Sequence, residues 1–300
     1  MNCNKLHLKN TKMRKITVLV LMLFTTHIYA QGIELNGTIS AEDNQIKNLQ
    51  DPTDAQDVVT LSVLLEKISA LQDQIDNAGI GSITDVDGNT YNSLTYGDQV
   101  WTVENAEMET YRDGTEIPQI TEADDWAALN TGAWCYYEND ETKGKLYNWY
   151  AVMGIHDAEP NTPNKEFAPE GWHVPSDAEW FTLENHLIAN GYNYDGSITG
   201  NNKIAKAMAS ISGWNSSTNE GAIGNNQSLN NGSGFNVFPR GTRSSISGSF
   251  SYEGHYAFFW SSAEGNTSPA YAHYLTSNTS NLTRYAYYKR NGFSVRFVRD

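Results

Sequence analysis

A chain of 300 residues with 39% hydrophobic and 18% charged side chains is long enough for one or two globular domains and too apolar to be disordered throughout. Its formal charge of −15 makes nucleic acid and anionic membrane poor partners. Eight Trp, 17 Tyr and ten Phe provide the apolar area for a core.

At the N-terminus, Lys12, Arg14 and Lys15 precede the apolar run Ile16 to Phe24, which ends in Ile28-Tyr29-Ala30 before Gln31. A basic stretch, an apolar segment too short for a membrane span and a small residue at its end form a secretory signal over residues 1–30. Cleavage near Ala30 and a secreted or cell-surface product are expected. No cysteine follows the apolar run, which argues against a lipid anchor there. Without residues 1–30 the chain keeps 15 basic residues against 35 acidic ones. The signs are unevenly spread: residues 201–300 are net positive, whereas 31–200 are strongly acidic, the pattern of a basic tail folded against acidic elements. Cys3 leaves with the signal, so Cys135 is the one remaining thiol and no internal disulfide can form.

Residues 31–56 are polar, with turn signals at Asn36-Gly37 and Asp51-Pro52, and read as an extended lead-in. Over 57–80 a helix is predicted, because Leu61, Leu64, Ile68, Leu71, Ile75 and Ala78 recur in steps of three and four until Gly79 and Gly81 stop them. This spacing fits a short coiled-coil stalk or an amphipathic helix packed on its own domain. The preceding stretch, Asn44 to Asp57, resembles the connector before short coiled coils in phage tail-fibre and bacterial stalk proteins. That resemblance implies self-association through residues 61–78, as a homotrimer.

The large domain is expected over 83–300. Asp85-Val86-Asp87-Gly88-Asn89 places a turn between alternating residues, and Tyr96 to Trp101 continues the pattern, so a β-hairpin is predicted. The Asp-x-Asp-Gly run invites calcium, but Tyr96 stands where such a loop needs its final carboxylate, and no metal or cofactor is expected. After Pro175, Ser176 and Glu179 form a capping box for a helix whose stripe is Trp180, Leu183 and Leu187, closed by Gly191. A smaller helical run covers 203–210. Strands joined by long loops are expected at 235–239, 256–262, 271–275 and 293–298.

The run Gly171-Trp172-His173-Val174-Pro175-Ser176-Asp177-Ala178-Glu179-Trp180 resembles the Fibrobacter succinogenes major paralogous domain. Further segments agree in order: Gln99-Val100-Trp101 with Glu104-Asn105, Leu146-Tyr147-Asn148-Trp149, Gly234-Phe235 with Phe238-Pro239-Arg240-Gly241, Phe259-Trp260-Ser261-Ser262, and Gly292-Phe293-Ser294-Val295-Arg296. The resemblance implies an exported bacterial protein without established enzymatic activity, and an α+β, C-type-lectin-like, loop-rich domain with a capped helix and antiparallel strands. Formylglycine-generating enzymes share that broad layout, so fold alone does not assign a function. Where the family often carries cysteines, this chain has Ala168 and Phe297. If those positions pair elsewhere, their joint loss is consistent.

Catalytic constellations are scarce. Cys135, between Trp134 and Tyr136, reads as a buried small apolar residue, and His173 as a hydrogen-bonded structural one. Glu159-Pro160-Asn161 matches a sugar-binding tripeptide of calcium-dependent lectins, but it precedes the capped helix, whereas the lectin motif lies late in its domain. It is taken as coincidence. A pair of hydrolytic carboxylates is not visible in sequence.

The expected function is therefore a non-enzymatic surface binding or adhesion module, most suited to carbohydrate. The alternatives are a structural protein contacting only other proteins, and a polysaccharide hydrolase with unrecognised carboxylates. The ligand face is expected at Arg240, Arg243, Tyr252, His255 and Tyr256, where Gly and Ser would let rings and charges reach outward and where acidic or sulfated glycans would fit. If the stalk forms, sedimentation of the processed chain should give a trimer and residues 83–300 alone a monomer; a monomeric processed chain at micromolar concentration removes the stalk.

Overall fold

The computed structural model describes residues 64–68, 70, 81–159 and 161–300. The expected signal segment and lead-in, most of the heptad stretch and Pro160 of the Glu-Pro-Asn tripeptide lie outside the described residues. Residues 64–68 and 70 are helical, with Leu65 and Ile68 exposed. No helix among the described residues is long and apolar enough to cross a membrane.

From residue 81 onward the fold is α+β. Strands β1 (Gly81–Thr84), β2 (Thr90–Tyr96) and β3 (Gln99–Thr102) form two successive antiparallel hairpins. The first turn is held by Asp85, whose carboxylate accepts from the amides of Asp87 (3.0 Å) and Asn89 (2.9 Å) and from the Tyr91 hydroxyl (2.5 Å). The Asp87 carboxylate accepts from the amides of Glu109 (2.6 Å) and Thr110 (3.0 Å). Both acids of the suspected calcium motif are thus committed to backbone amides, which suits a turn staple.

Helix α1 (Ala123–Ala128) leads to the two-stranded ribbon of β4 (Trp134–Tyr136) and β5 (Lys145–Tyr147), followed by the single turn α2 (Trp149–Val152). Strand β6 (Trp172–His173) precedes α3 (Asp177–Ala189), the longest helix among the described residues, and a short α4 (Ala205–Met208) comes next. The C-terminal part holds β7 (Arg240–Arg243), β8 (Phe250–Glu253), β9 (Tyr256–Glu264), β10 (Pro269–Thr276), β11 (Thr283–Tyr288) and β12 (Val298–Arg299). One sheet runs β1-β2-β3-β12-β6 and the other β11-β10-β9-β7-β8. Val298 pairs with both Trp101 and His173, so the last residues close the first sheet between segments almost 200 and 125 positions earlier.

One of the expected strands does not form, and another forms only at its end. Residues 235–239 make only an isolated bridge, Ala209 to Val237, because Asn236 has φ 56° and Pro239 has no amide to donate. Of the expected strand 293–298, Val298 belongs to β12, while Phe293 and Ser294 bridge singly to Tyr147 and Phe259.

Helix α3 begins as its sequence predicts. The Ser176 hydroxyl accepts from the Glu179 amide at 3.3 Å, and the Glu179 carboxylate accepts from the Ser176 amide at 2.7 Å. Its buried face, Trp180, Leu183 and Leu187, joins a core shared by both sheets. Trp180 meets Trp101 (4.8 Å) and Phe259 (5.7 Å) edge-on or tilted and stacks on His273 at 5.0 Å.

Two histidines tie the start of this helix to the sheets. His173 donates through Nε2 to Glu179 (2.7 Å) and through Nδ1 to Asp300 (2.6 Å). Burial works against its charge, but the bonds to Asp300 and Glu179 outweigh burial and its pKa is raised. His273, fully buried on β10, donates through Nε2 to Asp177 at 2.9 Å. There burial dominates over the Asp177 bond, and the pKa falls to about 4.

The linkage signs are opposite. The raised His173 pKa gives stability present below the unfolded value of 6.5 and lost as pH rises through its folded pKa. The depressed His273 pKa means that unfolding takes up a proton between 6.5 and about 4, so stability falls as pH drops through that window. Thermal melts across this range should show His173→Gln flattening the alkaline limb and His273→Gln flattening the acid limb. Unchanged limbs in both variants would assign the pH dependence to other groups.

Candidate functional site

Side chains alternate across the second sheet, so one face collects every other residue of each strand. On β9 that face carries Tyr256, Phe258 and Trp260; on β10 it carries Tyr274, opposite Phe258, and Ala272, opposite Trp260. On β11 it carries Tyr285, opposite Ala272, and Tyr287, opposite Ala270. Trp260 and Phe293 bury the far end of this face in the core. Toward Tyr256 the face is open.

What remains accessible is a row of tyrosine rings in mutual contact. Tyr285 meets Tyr287 at 5.3 Å, Tyr287 meets Tyr274 at 6.2 Å, Tyr274 meets Tyr256 at 5.8 Å, and Tyr256 meets Tyr252 of β8 at 5.1 Å. The end members are the most open, Tyr285 at 62% and Tyr252 at 55% exposure, while the three between are half-buried. Phe258 stacks beneath Tyr256 at 5.2 Å and fixes its ring. The Tyr287 hydroxyl is held protonated far above its ordinary range, by burial first and then by the neighbouring Tyr274 and Tyr256.

Tyr252 has φ 70°. A bulky side chain in the left-handed region is strained, and glycine would be cheaper there. The position pays a conformational cost for an exposed ring.

Of the five residues expected at a ligand face, Tyr252, His255 and Tyr256 come together. The His255 ring lies 4.5 Å from Tyr256, and its Nδ1 bonds Ser277 Oγ at 2.6 Å. Arg240 lies on β7 opposite Glu253, with its guanidinium turned over Phe238 at 5.3 Å.

Arg243 corrects the expectation outright: it is 0% exposed. Its guanidinium lies between Trp126 (4.6 Å) and Phe250 (4.8 Å), and it donates to the carbonyls of Gly248 (2.9 Å), Thr121 (2.7 Å), Glu122 (2.9 Å) and Ile120. Gly248 has φ 62°, and a Cβ there would sit 2.0 Å from the Ala123 carbonyl, so that turn is clamped against α1. Arg243 is a buried staple that cannot reach a ligand.

The sequence reading did not single out Tyr274, Tyr285 or Tyr287. The alternation of Tyr285 and Tyr287 around Ala286 was the available signal, and only the strand order places them beside Tyr256 and Tyr252.

Residues 94–299 match the Fibrobacter succinogenes major domain, a span containing the whole tyrosine row, the capped helix and both histidines that anchor it. The chain belongs to this family. No curated protein and no solved structure matches it. In this member of the Fibrobacter succinogenes major domain family, Ala168 and Phe297 are both buried in the core cluster beneath the tyrosine face. Its Cys135 is buried as well, and burial, only partly opposed by Arg243, pushes the thiol up to about 12, far from a nucleophile.

Among the described residues no group of three or more His, Cys, Asp or Glu is placed to hold a metal ion. A groove of about 460 Å³ beside Asn202, Lys203 and Asn281, and another of about 270 Å³ beside Asn130, His156 and Glu159, contain none of the row's rings. Replacing Arg243 by Met would leave its carbonyl partners unpaired in the interior. Denaturant melts should show a loss of about 3–5 kcal/mol; a variant melting like the parent would contradict the staple.

Proposed function

We propose that this protein is an exported, surface-associated binding module that recognises carbohydrate through the tyrosine face, on a C-type-lectin-like layout and without enzymatic activity. Self-association through residues 61–78, as a trimer, would present several such faces at once and raise avidity. The observation that carries this reading is the row Tyr252, Tyr256, Tyr274, Tyr287 and Tyr285, rigidly spaced and open at both ends. Aromatic faces pack against the apolar faces of sugar rings, and phenol hydroxyls supply polar contacts at little cost in conformational entropy.

Two features favour binding over hydrolysis. The buried carboxylate of Asp85 is committed to its turn, and Asp177 and Glu179 are committed to His273, Arg284, His173 and Ser176. An open sheet face also offers a polymer a platform, whereas chemistry is favoured in a cleft that excludes water.

The strain at Tyr252 makes the test selective. Tyr252→Gly should keep the parent stability or raise it by up to about 1 kcal/mol, because glycine accepts the positive φ. The same variant should lose most binding on a glycan array or to cell surfaces. Undiminished binding by a folded Tyr252→Gly, Tyr285→Ala double variant would sink the proposal.

A further inference from the structure

We infer that the ligand of the tyrosine face is an uncharged, linear oligosaccharide longer than a disaccharide, lying across the second sheet from β11 through β10, β9 and β7 to β8; this rests on the carbohydrate-binding reading above. Most of the positive charge of the last third, which would favour acidic glycans, is engaged within the fold. Arg243 and Arg296 are buried against backbone carbonyls, and Lys206 is buried in a cage of the Ala222, Asn225 and Asn226 carbonyls and Asn230 Oδ1. Arg284 projects from the opposite side of β11 and is paired with Asp177 at 2.6 Å, and Lys289 is paired with Glu264. Arg290 is spent on the Ala127 carbonyl at 2.7 Å.

Arg240, at the start of β7 between β9 and β8, is the cation nearest the row; its guanidinium is turned over Phe238 and its field acts on Glu107 and Asp140. The nearest acid of the β8 hairpin, Glu253, is engaged by Lys143 at 2.8 Å. The row itself consists of neutral phenols and His255. A chain of net charge −15 also repels a polyanion at long range. The neutral rings of the row and the acidity of the whole chain therefore favour an uncharged partner.

Length follows from the spacing. Successive ring separations of 5.3, 6.2, 5.8 and 5.1 Å are each comparable to one sugar ring with its linkage, and the two most exposed rings stand at the ends. A disaccharide can engage only one part of the row, whereas a longer chain engages Tyr285 and Tyr252 together.

The test is calorimetric titration of the full chain with uncharged gluco-, manno- and galacto-oligosaccharides from disaccharide to hexasaccharide, and with polygalacturonate, heparin and chitosan. At least one uncharged series should bind, with affinity that climbs beyond the disaccharide and then levels. Raising salt to physiological strength should change that affinity by less than about twofold. Tyr285→Ala and Tyr252→Ala should each weaken the longer oligomers about tenfold while sparing the disaccharide. Preferential binding of a polyanion or of chitosan, steeply weakened by salt and lost in Tyr252→Ala, overturns the uncharged ligand but leaves the tyrosine face as a glycan site. No binding to any probe, or binding indifferent to both substitutions, overturns the two readings together.

Discussion

A fold this rich in loops exposes its designer problem in the carbonyl groups. Backbone oxygens outside helices and strands still need donors when they are buried, and Cys135, free and buried, offers no covalent brace. Here long cationic side chains supply the donors. Arg243 gathers the segment 120–122 and the turn at Gly248; Lys206 gathers 222–230; Arg112 gathers the carbonyls of Ala168, Pro169 and Trp172; and Arg296 links Thr102 to Asn105. Burying a charge is expensive, but carbonyl dipoles and flanking aromatic faces replace much of the lost water. Arg296, between Phe235 and Phe259, shows the residual penalty, since burial lowers its pKa to about 10.

That constraint decides what the surface can be. Cations drawn inward to satisfy loops are unavailable outside, so the net positive composition of residues 201–300 does not become a basic patch. The open face of the second sheet is left with phenols, and its polar capacity is neutral. Composition alone suggested the opposite because it counts charges without locating them.

The legibility of the chain in its sequence follows the range of the interactions involved. Helix α3 was readable because its capping box and its stripe of Trp180, Leu183 and Leu187 are local patterns. Strands β9 and β10 were readable from their short aromatic runs. The tyrosine row was only half readable: Tyr252 and Tyr256 are close in sequence, whereas Tyr274, Tyr285 and Tyr287 join them through strand order. Arg243 was misread because its Gly and Ser neighbours resemble an exposed loop, and its partners lie more than 120 residues upstream. Phe235 and Val237 were correctly apolar and are buried, yet they pack from irregular backbone.

The glycines around the face carry the same lesson about function. In a sequence, Gly beside Tyr and Arg suggests flexible loops from which rings reach outward. In the structure they mark close approach. Gly241 has φ 65°, and a Cβ there would lie 2.4 Å from the Ser251 carbonyl and 2.8 Å from the Tyr137 ring, so β7 and β8 pack too tightly for any side chain. This closeness, with Gly248 clamped on α1, holds the β8 hairpin still and pins Tyr252 against Tyr256. A face built on strands with locked rings loses little entropy when a ligand settles on it. In the proposed binding role, selectivity would come from the fixed spacing of the rings, which a flexible loop could not impose.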